Sequence, residues 1–84
     1  MWKVEFTKRV RKDAKKLQSS HRERIVAAMD KLALNPYDSK KMEGTADFHS
    51  IRVGEFRIVF EIRKKESLIL VHRIAKRENV YLAI

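Results

Sequence analysis

The sequence predicts a two-layer α+β domain: an N-terminal strand, an αα-hairpin, a three-strand antiparallel meander and a short C-terminal helix. Three observations lead there. Apolar residues recur at helical spacing between residues 8 and 33. After Gly44 the period changes to two. The chain has only 84 residues, enough for one domain spanning 1–84 and a small core.

Each element has its own signal. Val4 and Phe6 alternate with Lys3 and Glu5, which predicts a strand over 2–6. Thr7 is a candidate N-cap. Val10, Ala14 and Leu17 then mark a helix with one narrow apolar stripe. Ser19-Ser20 breaks it, and Ser20 with Glu23 fits a capping box for a second helix. Ile25, Val26, Met29, Leu32 and Ala33 supply the apolar face of that helix, and Asn35-Pro36 stops it. Residues 35–46 read as a loop. Beyond it, Ile51, Val53, Phe56, Ile58, Phe60 and Ile62 face the helices, and Gly54-Glu55 makes a type II′ hairpin turn. Residues 64–67 turn the chain again. Leu68 to Ala75 is apolar on both faces for four residues and reads as a central strand, with Leu70 and Ile74 joining the core. The helices then cover one face of an antiparallel sheet and leave the other open.

Composition narrows the function. The chain carries 20 Lys+Arg against 11 Asp+Glu, a net charge of +9, so a polyanion is the first partner to consider. The absence of cysteine excludes disulfides, thiolate zinc sites and a cysteine nucleophile. No apolar run approaches the roughly 20 residues that a bilayer demands, and the N-terminus lacks a secretory pattern. A soluble cytoplasmic protein without membrane contact is the expectation.

The positive charge forms two groups. Lys8, Arg9, Arg11, Lys12, Lys15 and Lys16 surround the apolar stripe of the first helix, interrupted only by Asp13. Like charges at i,i+4, such as Lys8/Lys12 and Lys12/Lys16, cost a few tenths of a kcal/mol each. A phosphate-binding surface would justify that repulsion; a plain solvated face is the other reading. The second group follows from strand parity. With the apolar set facing the helices, Ser50, Arg52, Arg57 and Arg73 face the open side, Arg77 lies just past the last strand, and Tyr81 is a helical turn further on. Arginine recognises phosphate bidentately, and a tyrosine ring stacks on an unpaired base. A solvated sheet face paired with Glu55 or Glu61 is the alternative. His21, His49 and His72 have no metal-ligand spacing, and neither a metal nor a cofactor is implied. His49 is a candidate acid or base, and His72 reads as a core-edge residue.

The run Lys41-Met42-Glu43-Gly44, the hairpin from Phe48 to Ile62 and the ending Ile74-Ala75-Lys76-Arg77-Glu78-Asn79-Val80-Tyr81 resemble the RelE/ParE superfamily of toxins. The resemblance implies the family's fold over essentially the whole chain. It also implies a toxin of a type II toxin–antitoxin module that enters the ribosomal A site and cuts mRNA there. The cut is metal-free, by attack of a ribose 2′-OH on the adjacent phosphate. Carried over by position, Arg57 matches the arginine on the scissile phosphate and Arg77 the arginine at the leaving 5′ oxygen. Tyr81 matches the base-contacting tyrosine, and Arg52 a basic residue before the turn. Lys76 and Arg73 join the helix cations as RNA contacts. Ser50 stands where well-known members carry a lysine, Ala75 replaces a glycine, and the segment from Arg77 to Tyr81 is two residues shorter. The general base is therefore open among His49, Glu61, Lys76 and a group on the ribosome or RNA. The implied partners are a cognate antitoxin, in a hetero-oligomer, with the ribosome and mRNA. A ParE-like gyrase poison and a non-catalytic RNA- or ribosome-binding module are the alternatives.

Overall fold

A computed structural model describes residues 2–42 and 47–76. Its elements are β1 (Lys3–Phe6), α1 (Lys8–Lys15), α2 (Ser19–Leu32), β2 (Lys40–Lys41), β3 (Phe48–Val53), β4 (Phe56–Arg63), a 3-10 turn (Lys64–Glu66) and β5 (Leu68–Lys76). The C-terminal helix expected from the sequence lies outside the described residues. The five strands form one sheet in the order β1-β5-β4-β3-β2. Among the described residues, no helix is long and apolar enough to cross a membrane.

The meander β3–β4–β5 is antiparallel throughout, as the alternation predicts. The edges differ from expectation. β1 runs parallel to β5, with Lys3 opposite Leu68 and Phe6 opposite Val71, so the sheet is mixed. A short edge strand, β2, pairs with His49 and Ser50 inside the segment read as loop. Two lysines carry no alternation, so nothing in their pattern marks a strand. Both are exposed, and lysine at a sheet edge discourages further pairing.

The core lies between the helices and one sheet face. Val10, Ile25, Met29 and Leu32 meet Ile58, Phe60, Ile69, Val71 and Ile74, with Trp2, Val4, Ala14 and Leu17 at the margin. Ile58, Phe60, Ile69 and Val71 are fully shielded, and burying each such side chain contributes about 1.5–3 kcal/mol. Val10 is the one buried residue of α1, which matches its narrow stripe. Thr7 caps that helix by accepting from the Val10 N–H at 3.2 Å.

The predicted capping box does not form. α2 starts at Ser19 with Gln18 as its N-cap and no side-chain cap. The guanidinium of Arg22 instead donates to the carbonyls of Leu17 and Ala14. One side chain of α2 thus satisfies carbonyls left over at the end of α1 and fixes the short connection.

Strand parity in β5 also departs from the expected pattern. Val59 pairs with Arg73, but Phe60 pairs with Val71, so His72 is an extra residue and the register shifts. Ile69 and Val71 face the helices before the bulge and Ile74 does so after it. Leu70 therefore faces the outer side, contrary to its assignment from simple alternation.

At the β3–β4 turn Gly54 has φ 61° while Glu55 stays at negative φ, in keeping with the type II′ turn read from Gly-Glu. A Cβ at Gly54 would also stand 3.3 Å from Nη1 of Arg24. Gly54→Ala should lose about 1–2 kcal/mol, mostly from the left-handed backbone, and melt roughly 5–15 °C lower. A calorimetric scan reads the shift, and an unchanged midpoint would contradict this turn geometry.

Candidate nucleic-acid interface

The register lays the outer side chains in three rows across the sheet. At the turn end, Arg52 stands directly opposite Arg57, and Arg57 opposite Ala75. Next come Ser50, Val59 and Arg73. The third row joins Phe48, Glu61 and Leu70, with His72 beside them in the bulge. Rows two residues apart lie about 6.6 Å apart along a strand.

These rows do not form a uniformly bare face. Arg52 is exposed and Arg57 is half-buried, its Nε shielded from solvent. Ser50 and Val59, in the middle row, are buried. The open surface expected there is thus closed at its centre and accessible at the turn end. The neighbouring β5 position is Ala75, a short side chain. Lys76 is exposed at the same end of the sheet, opposite Phe56. Arg77 and Tyr81 lie outside the described residues.

Arg73 has a different setting from Arg52 and Arg57. Its Nε donates to Oδ2 of Asp13 at 2.9 Å, and the same oxygen accepts the Ile74 N–H at 3.1 Å. Both side chains are mostly buried, 17% and 13% exposed. β1 ends at Phe6, so the Ile74 N–H has no strand partner on that side, and the carboxylate of α1 supplies one. The lone acid of the basic helix is therefore a clamp between α1 and β5, and it holds Arg73.

The two acid/base candidates are also engaged. His49 belongs to the helix-covered side. It is buried, it stacks on Phe60 at a 5.9 Å centroid distance, and its Nδ1 is 3.2 Å from the Ser39 hydroxyl. Burial lowers its pKa below 6.5, Lys41 lowers it further, and Asp47 opposes only in part. The sheet thus separates His49 from Arg52 and Arg57. Glu61 is on the outer side, but four residues along β4 from Arg57. Its Oε1 is 3.1 Å from Nε2 of His72, and its Oε2 accepts from Nε of Arg63 at 3.2 Å. Burial alone would raise its pKa; the hydrogen bonds from His72 and Arg63 outweigh that and lower it.

Lys8, Arg9, Arg11, Lys12, Lys15 and Lys16 are all exposed, so the dispersed helix charge survives folding. Sequence reasoning missed cations and rings that tertiary contacts recruit. Arg24 sits over Gly54 at the hairpin tip, and His21 meets Phe56 edge to face at 5.0 Å. Together with Val53 and Glu55 they line a cleft of 270 Å³ on the helix side of the turn, across the sheet from Arg52 and Arg57. The i,i+3 spacing of His21 and Arg24 was the available signal, but nothing in the sequence names the turn beneath them. Among the described residues, no cluster of His, Cys, Asp and Glu suits a metal.

A model of the ParE toxin of the type II toxin–antitoxin system parDE matches residues 4–81. A RelE1 protein of Methanocaldococcus jannaschii is 30% identical over 83 residues, covering 93% of this chain and 92% of its own length. The chain belongs to the RelE/ParE superfamily of toxins from type II toxin–antitoxin systems. Among solved structures, the Methanococcus jannaschii RelB–RelE antitoxin–toxin complex matches with TM-score 0.76 and 28% identity, over 94% of this chain and 96% of that one. The intact E. coli RelBE complex matches in fold with TM-score 0.83 and 22% identity, over 90% and 96%. The archaeal RelE–RelB complex of Pyrococcus horikoshii matches with TM-score 0.79 and 26% identity, over 90% and 94%.

Two predictions follow from the engaged groups. Asp13→Ala removes the acceptor of the Ile74 N–H and the partner of Arg73, and should cost about 1–3 kcal/mol. Asp13→Asn, which keeps one acceptor, should recover part of it. Urea titrations of the three proteins measure the difference, and equal midpoints would show that the clamp contributes nothing. For His49 the folded state favours the neutral ring. The unfolded chain therefore binds more protons just below pH 6.5, and stability falls as pH drops through that range. His49→Gln should flatten this segment of the stability–pH curve; a parallel curve would refute the assignment.

Proposed function

We propose that this chain is a ribosome-dependent endoribonuclease that cleaves mRNA in the A site and so inhibits translation. The observation that carries the reading is the directly opposed pair Arg52 and Arg57 on an accessible end of the sheet, next to Ala75. Family membership supports it, and Arg77 follows Lys76 directly in sequence.

Arg57 grips the non-bridging oxygens of the scissile phosphate, and Arg52 adds charge beside it. The ribose 2′ oxygen attacks phosphorus and gives up its proton. The bond from phosphorus to the 5′ oxygen breaks, leaving a 2′,3′-cyclic phosphate and a 5′-hydroxyl. Arg77 stabilises or protonates that leaving oxygen, and Tyr81 orients a base. Arginine does not readily accept a proton, and His49 and Glu61 are engaged elsewhere. Removal of the 2′ proton therefore falls to Lys76 or to a group on the RNA or ribosome. The exposed cations of α1 anchor ribosomal RNA phosphates, a contact that should weaken with salt.

The RelE proteins of the E. coli, P. horikoshii and M. jannaschii complexes are each bound to RelB. By extension this chain takes a cognate antitoxin into a hetero-oligomer. An acidic segment that orders on binding would suit the basic faces and compete there with RNA.

The ParE description of the matching family model favours a second reading, a gyrase poison on the same fold. Primer extension on translated mRNA separates the two. The parent should yield cuts within codons, and Arg57→Ala should reduce them about 10²–10³-fold. DNA-damage induction with translation intact would replace this reading by the second one.

A further inference from the structure

The third outer row holds an aromatic pair that the arginine chemistry does not use. Phe48 on β3 and His72 on β5 meet across β4 with ring centroids 5.0 Å apart and planes tilted by only 30°. Both are half-buried rather than sealed, with the His72 side chain 30% exposed. His72 follows the core-facing Val71 and so turns outward, where its ring reaches Phe48. Below them Glu61 holds His72 at 3.1 Å and thereby fixes its orientation. The negative charge of Glu61 is countered by Arg63, whose Nε is 3.2 Å from it and whose side chain is 42% exposed. Glu66 lies 4.0 Å from the same guanidinium, and Lys64 and Lys65 stand exposed on the adjoining turn. With Glu5 opposite Leu70 on β1 and Asp47 next to Phe48, acids and cations nearly balance here, and two parallel-leaning rings sit among them.

We infer that Phe48 and His72 form a docking platform for an unpaired RNA base, flanking the phosphate held by Arg52 and Arg57. This rests on the RNA-cleaving function proposed above and adds a base subsite to it. The platform lies four residues along β4 from Arg57, about 13 Å, a span that a short single strand crosses. A third ring extends the Phe48–His72 stack, as sequence-tolerant single-strand recognition by aromatic side chains requires. Orientation by Glu61 keeps His72 preformed, so little side-chain freedom is lost when a base lands.

The test uses short single-stranded RNAs carrying one 2-aminopurine at successive positions and a 2′-O-methyl block at every sugar. Stacking quenches this fluorophore. The parent should quench it strongly at one position at saturation. Phe48→Leu keeps bulk without a ring, and His72→Gln keeps a donor to Glu61 without a ring. Both should restore the fluorescence and weaken binding roughly 5- to 100-fold, with far-UV spectra and melting confirming the fold. Arg57→Ala should weaken binding but leave the quenching of the saturated complex. Equal quenching by the parent and both ring variants overturns the platform while the nuclease reading stands. Failure of the parent to bind any of the RNAs removes the platform, whereas codon cleavage in the primer-extension assay judges the nuclease reading separately.

Discussion

The arrangement of this sheet depends on one extra residue. Strict alternation from Leu68 would send Leu70, His72 and Ile74 to the same face. The bulge at His72 interrupts that pattern, so Ile69 and Val71 fill the core before it and Ile74 after it. A one-residue change of register exchanges every side chain between the faces. Without the bulge, β5 would either bury His72 or expose Ile74. With it, the strand keeps its apolar side against α1 throughout and delivers His72 and Arg73 consecutively to the other side and the edge.

The second consequence of that geometry is at the edge of β5. β1 covers only the first half of the strand, through Val71. Beyond it α1 takes over, and Asp13 closes the exposed ladder by accepting from Ile74 and Arg73. An acid here solves two problems. It satisfies a backbone donor that would otherwise face the helix, and it relieves a helix crowded with like charges. The surrounding lysines and arginines remain exposed because the one buried position on their helix is Val10.

Much of this was legible in the amino acids. The alternation at Val4 and Phe6, the period change after Gly44, the Thr7 cap and the Gly54-Glu55 turn identify four of the five described strands and the start of α1, and the facing of Arg52 and Arg57 follows from simple alternation on either side of that turn. Local signals were insufficient where a residue's partner is distant in sequence. The Ser20 and Glu23 pattern is a sound capping signal, yet α2 begins one residue earlier, with Gln18 at the cap and Ser20 already inside the helix. Lys40 and Lys41 become a strand only because β3 offers its edge. His49 looks available from its position beside Ser50, but the loop after α2 brings Tyr37 and Ser39 over its ring. Arg73 shares the parity of Arg52 and Arg57, and its partner lies sixty residues earlier.

The same contrast explains why the net charge of +9 is not one property. Cations on α1 are solvated, so each costs little to keep and interacts with a phosphate only at the strength that water and salt allow. Arg57 is half-buried between strands, where a charge is harder to maintain but, under the proposed function, would act on a bound phosphate at lower dielectric. Its position is set by the backbone ladder rather than by a flexible loop. Geometry of that kind raises the effective contribution of a donor, because no reorganisation is needed as charge develops. A polyanion would therefore be captured mainly by the helix and discriminated at the sheet. Under the proposed function, removing helix charges would weaken capture in proportion to their number, while losing one well-placed arginine would change the chemistry itself.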